Sequence, residues 1–191
     1  MEIKRYITFR NKENNLPMLK EKEKIQWDSD FSTYDKIIDF LNQIFEMEYL
    51  EEEYVYVISF NWQMIPQGVF ELSHGSADTS IIKMRELAIF LLLSGANKFI
   101  VAHNHPNGSK DASVNDINIT RKIQEMANFI EVDFLQHFTI GNDGYDTCID
   151  NGEDDDIFKE NDEEDEDYMP FNWTQWSNWV IKWYYVEWKE Q

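Results

Sequence analysis

Between residues 54 and 140, short runs rich in β-branched and aromatic residues alternate with longer segments of helical periodicity. Such a chain must bury one face of each strand and one stripe of each helix, which restricts it to a layered α/β architecture. Tyr54–Phe60 reads as a strand and Asn61-Trp62-Gln63 as the turn after it. Met64–Leu72 reads as a second strand, broken by Pro66 and Gly68 and followed by a loop at Ser73-His74-Gly75. Lys83–Ser94 is a strongly apolar helix closed by Gly95. Lys98–Ala102 is a short buried strand, Val114–Phe129 a helix and Glu131–Ile140 a further strand. Upstream, Ile3–Phe9 reads as a strand and residues 11–26 as loops or an edge hairpin. Ser32-Thr33-Tyr34-Asp35 starts an amphipathic helix, in which Ile37, Leu41, Ile44 and Phe45 recur at helical spacing and which ends near Met47.

The net charge of −20 is unevenly placed and narrows the range of partners. Residues 150–167 hold 12 acids against one Lys, residues 168–191 balance, and residues 1–149 keep −9. Nucleic-acid binding runs on clusters of Lys and Arg, which this chain lacks, so a nucleic-acid partner is not expected. The longest apolar run, Leu87–Leu93, is far too short to span a membrane, and the charged N-terminus does not read as a secretory signal. Cys148 is the only cysteine, which excludes an internal disulfide and a cysteine-based zinc finger and fits a reducing cytoplasm. Residues 171–191 hold five of the seven Trp, and so many large rings are expected to pack on the domain, on a partner or on a second copy.

His103 and His105 stand two apart at the end of a strand, and a period of two puts both imidazoles on one face. Asp116, in the first turn of the following helix, can fold back to the same point. Two neutral imidazoles and a carboxylate suit zinc, with Fe(II) second, and leave one coordination position open for chemistry. Hydrolysis then needs a carboxylate base that is not a ligand. Glu53 is the best placed, but Glu51 and Glu52 compete, and spacing alone does not choose among the three. Ser113 is close enough to donate to an oxyanion. Ser113-x-x-Asp116 also has the form of a helix capping box, and the two roles are compatible. His74 and His137 read as structural. The Pro-Cys-x-x-Cys ligands of a deaminase are missing.

His103-Asn104-His105-Pro106-Asn107-Gly108 followed by Ser113-x-x-Asp116 resembles the signature of the JAB/MPN-plus (JAMM) metalloproteases, in particular the RadC-type branch. The likeness covers about residues 51–146 and extends to Phe70–Gly75, Met84-Arg85-Glu86, Gly95-Ala96 and Gln136–Gly141. It implies a three-layer α+β fold, JAB/MPN-like and related to cytidine deaminases, with a curved mixed sheet flanked by helices. It also implies a zinc site of His103, His105 and Asp116, with Glu53 selected as general base and Ser113 as the oxyanion or water-orienting residue. Two departures stand out. The loop Asn107–Ala112 lacks the prolines usual in the family, so a looser loop is expected, and Gln136 replaces an Asp, which removes a charge from the surroundings of the site.

Four segments follow: 1–50, an N-terminal strand, loop and helix leading into the core; 51–149, the catalytic core; 150–170, an acidic linker; 171–191, the Trp-rich element. The function expected is zinc-dependent hydrolysis of an amide in a peptide or protein. The alternatives are a non-catalytic MPN-type interaction module and an accessory role in DNA processing. The helix-hairpin-helix segment of longer RadC proteins is absent from this sequence.

Overall fold

A computed structural model describes residues 1–75 and 82–149. The acidic segment 150–170 and the Trp-rich element 171–191 lie outside the described residues. The elements are β1 (Glu2–Arg10), β2 (Pro17–Gln26), α1 (Tyr34–Phe45), β3 (Glu53–Phe60), β4 (Pro66–Gly75), α2 (Met84–Ser94), β5 (Lys98–Asn104), α3 (Val114–Ile130), β6 (Asp133–Gly141) and β7 (Gly144–Thr147). A single seven-stranded mixed sheet has the order β2-β1-β4-β3-β5-β6-β7. Residues 1–50 therefore do more than lead into the core. Their hairpin β1–β2 extends the sheet, and β1 runs parallel to β4. The Lys- and Glu-rich β2 is its outer strand, where charged side chains protect an open edge.

Alternation along the strands divides the core into two layers. Tyr56, Ile58 and Phe60 of β3 pack with α1, whereas Val55 and Val57 pack with α2 and α3. In β5, Ile100 and Ala102 take the α1 side, and Phe99 and Val101 take the other. This is the three-layer α+β arrangement expected from the sequence. Helix α1 starts on Thr33, whose side chain accepts from Lys36 N, and stops at Glu46, which adopts a left-handed conformation at φ 52°. Its buried face carries Ile37, Phe40 and Leu41, and Phe40 meets Phe31 edge-on at 5.2 Å.

The second strand differs from expectation. Pro66 does not interrupt it but begins it, paired with Phe60 next to a register shift, where a residue without an N–H is tolerated. Gly68 lies within β4 because the Tyr6 ring occupies the space a side chain would need: a Cβ there would sit 2.5 Å from a ring carbon. Ser73, His74 and Gly75 are not a loop; they extend β4 and pair with Val55, Tyr54 and Glu53. The short strand β7 was not expected from the sequence. No helix among the described residues is long and apolar enough to cross a membrane.

Candidate metal centre

Strand directions bring the chemistry to one end of the sheet. β5 runs antiparallel to β3 and parallel to β6, with Val55 opposite His103 and His103 opposite Thr139. The start of β3 and the ends of β5 and β6 therefore meet. His103 shares its parity with Phe99 and Val101, so it belongs to the face covered by α3. The loop after β5 returns the chain to the start of α3, which delivers Asp116.

Ligand atoms of His103, His105 and Asp116 all lie within 4.8 Å of one another. His103 Nε2 is 3.0 Å from His105 Nε2. Asp116 Oδ1 is 3.2 Å from His103 Nε2, and Oδ2 is 3.4 Å from His105 Nε2. The Asp116 side chain is 13% exposed and that of His103 only 2%. His105 Nδ1 donates to Ser109 O at 2.9 Å, so in the neutral ring Nε2 is the bare nitrogen. Two imidazole nitrogens and a carboxylate converging on one point form a donor set that fits a divalent metal ion.

Charge coupling within the cluster is strong. Burial alone would raise the Asp116 carboxyl, but the His103 and His105 rings, in their charged form, outweigh it and hold the group well below the usual carboxylate range. The Asp116 hydrogen bond raises His105, against the opposing effect of burial. Glu53 is raised, first by burial, with His103 pulling it down and Asp116 pushing it up. That mutual influence places Glu53 in the field of the cluster. Glu51 and Glu52 are exposed, whereas Glu53 is half-buried and opens β3.

Ser113 caps α3. Its hydroxyl accepts from Asp116 N at 3.2 Å, and Asp116 Oδ2 accepts from Ser113 N at 2.7 Å, the reciprocal capping box. The same box aims the Asp116 carboxylate, which the Ser113 hydroxyl also helps to hold in its charged form.

Several surrounding residues were not singled out from the sequence. Asn104, 1% exposed, accepts from Tyr54 N at 2.8 Å and donates to Leu50 O at 3.3 Å and Glu52 O at 3.0 Å. It thus clamps the backbone on both sides of Glu53. Its place between the two histidines was the only signal. His137, read as structural, is fully buried and in contact with a candidate ligand: its Nε2 is 2.9 Å from His103 Nδ1. His74 lies outside the cluster, stacked on Tyr54 and bonded to Glu71.

One expected weakness of the surroundings is corrected. The loop 105–113 is not loose. His105 N donates to Ile140 O and Asn142 N to Gly108 O, each at 2.9 Å, while Lys110 N reaches Asp143 Oδ1 at 3.2 Å and Ala112 N reaches Asp146 Oδ2 at 3.4 Å. Thr139 Oγ1 donates to Lys110 O. Gly141 lets the loop approach, since a Cβ there would lie 2.4 Å from Gly108 O. Gln136 carries no charge, but it takes up a structural task, its Oε1 accepting from His137 N at 2.9 Å. Its Nε2 donates to Ile149 O and its Oε1 accepts from Ile149 N, both at 2.9 Å, a pair of bonds that an ionised Asp cannot make.

A family model described as the RadC-like JAB domain matches residues 31–152. Similar curated proteins include UPF0758 proteins of Clostridium acetobutylicum, 34% identical over 100 residues, and of Clostridium botulinum strain Alaska E43, 36% identical over 100 residues. Another, from Desulfitobacterium hafniense, is 31% identical over 100 residues. In each case the aligned part covers 52% of this chain and 44% of the relative.

Proposed function

Since this chain belongs to the RadC-like JAB family, we propose that it is a metal-dependent hydrolase that cleaves an amide bond in a peptide or protein. The observation that carries this reading is the convergence of His103, His105 and Asp116 within 4.8 Å, in the field of a half-buried Glu53. His103 Nε2, His105 Nε2 and a carboxylate oxygen of Asp116 would hold the ion, zinc before Fe(II). When bound, the ion supplies Lewis acidity, which polarises a carbonyl and lowers the pKa of water to about 7.

The remaining work falls to the chain itself. Glu53 takes a proton from the attacking water and returns it to the leaving amine. Its raised affinity for protons, caused first by burial, suits a group that must both accept and donate near neutral pH. Ser113 turns its hydroxyl hydrogen to the developing oxyanion while its oxygen keeps the cap on α3. Asn104 holds the backbone beside Glu53, so the base meets the site in one geometry.

The test is the Glu53→Gln variant, assayed with zinc titration and with a library of fluorogenic peptides and isopeptides. Zinc affinity is expected to persist and turnover to vanish. Equal cleavage by Glu53→Gln and wild type would remove Glu53 from the mechanism. A purified chain with no affinity for zinc would favour the non-catalytic interaction module instead.

A further inference from the structure

Behind His103 stand two buried side chains, His137 on β6 and Thr120 on α3, which are 0% and 5% exposed. They form a continuous chain of hydrogen bonds. Thr120 Oγ1 lies 2.6 Å from the backbone oxygen of Asp116 and 2.7 Å from His137 Nδ1. His137 Nε2 lies 2.9 Å from His103 Nδ1. The chain begins on the backbone of one candidate ligand and ends on the ring of another.

The direction of each bond follows from counting hydrogens. A carbonyl oxygen only accepts, so Thr120 spends its one hydroxyl hydrogen on Asp116 O. Its oxygen must then accept from His137, which places a hydrogen on His137 Nδ1. The His137 ring is buried and, among the described residues, no carboxylate is bonded to either nitrogen, so it is neutral and its Nε2 is bare. A bare nitrogen 2.9 Å away requires His103 to donate from Nδ1. Cys148 borders the same hydroxyl, and burial pushes its thiol up to about 12. The thiol sulfur is a much weaker acceptor than a carbonyl oxygen, so Thr120 keeps its hydrogen on Asp116 O at 2.6 Å and the sequence of donors is unchanged.

We propose that His137, itself oriented by Thr120, is a positioning residue that locks His103 in the tautomer whose Nε2 lone pair faces the metal point. The opposite tautomer would place a hydrogen on Nε2, where it would block coordination. The lock rests on the reading of His103 as a ligand, yet it exists in the polypeptide before any ion arrives.

Two measurements separate the lock from the metal reading. The first is long-range proton–nitrogen NMR of the metal-free, nitrogen-15-labelled full chain. It should show a hydrogen on Nδ1 of both His103 and His137, a bare Nε2 on His137, and a nitrogen–nitrogen coupling across the His103–His137 hydrogen bond. A hydrogen on His137 Nε2 overturns the proposal whatever the metal affinity.

The second is titration with zinc, and with cobalt for its visible spectrum. Thr120→Val and His137→Phe should bind about 10- to 100-fold more weakly than wild type. Thr120→Ser, which keeps the hydroxyl, should bind as wild type does. Undiminished affinity in a folded Thr120→Val overturns the proposal. If His137→Phe fails to fold, the two Thr120 variants and the wild-type NMR still decide. Should the wild type itself bind neither metal while the coupling is present, the metal reading fails and the tautomer assignment stands.

Discussion

Removing the Asn104 amide should loosen Glu53 without touching a metal ligand. Asn104→Ala deletes three hydrogen bonds to the backbone, from Tyr54 N and to Leu50 O and Glu52 O. At about 1 kcal/mol for each neutral bond, the loss is about 3 kcal/mol. In a chain of this size that lowers the thermal midpoint by roughly 6–12 °C. Asn104→Asp is the sharper probe. It keeps an acceptor for Tyr54 N but turns an oxygen toward two carbonyls now 3.3 and 3.0 Å from the amide nitrogen. Burial beside those oxygens raises the pKa of the introduced carboxyl, so the penalty is present above that pKa and is lifted as pH falls through it. Thermal melts of both variants from pH 8 to pH 5 check this. Asn104→Asp should be the less stable at pH 8 and should recover relative to Asn104→Ala on acidification. Zinc affinity should change little while kcat falls, because Glu53 is displaced and the ligands are not. Wild-type stability for Asn104→Asp at pH 8, or a recovery on raising the pH, would refute the clamp.

Other predictions follow from the same frame. Gly141→Ala should cost about 1–3 kcal/mol and weaken zinc binding, because the new Cβ would meet backbone atoms of Gly108, Ser109 and Lys110 at 2.4–2.6 Å; chemical denaturation and zinc titration measure the two effects. Phe60→Ala should cost about 3–5 kcal/mol yet leave the zinc affinity of the folded chain unchanged, since Phe60 is buried on the α1 side of the sheet. Without metal, the raised His105 contributes stability that is complete below about pH 6.5 and is lost as pH rises through its folded pKa. Zinc requires the bare imidazole, so the midpoint should fall with rising pH in a chelator while the increment given by excess zinc grows; a constant increment would contradict this.

The fold was legible where one physical signal dominated. The β-branched and aromatic run Tyr54–Phe60 and the apolar period of α1 are local signals, and each element appears where its pattern stands. The errors fell where distant partners decide. Pro66 and Gly68 break a strand by propensity, but the end of β3 and the ring of Tyr6 make both positions acceptable within β4. The His-x-His pair and the capping box were visible because ligands and caps depend on spacing along the chain. Asn104, Thr120 and His137 were not, because their partners lie 50, 17 and 34 positions away, on other elements of the fold.

The proline-poor loop shows why composition misled. Proline stiffens a loop by restricting the unfolded chain, an effect of about 0.4–1 kcal/mol for each residue. Here the restriction comes from the folded side. Asp143 and Asp146, in and beside the β6–β7 turn, accept from Lys110 N and Ala112 N, and Thr139 donates to Lys110 O. Two such bonds at about 1 kcal/mol each match the contribution of two prolines. The exchange moves the dependence from the loop to the hairpin. The position of Asp116 then rests on the turn that carries Asp143, and a change there reaches the metal point through the loop that precedes α3.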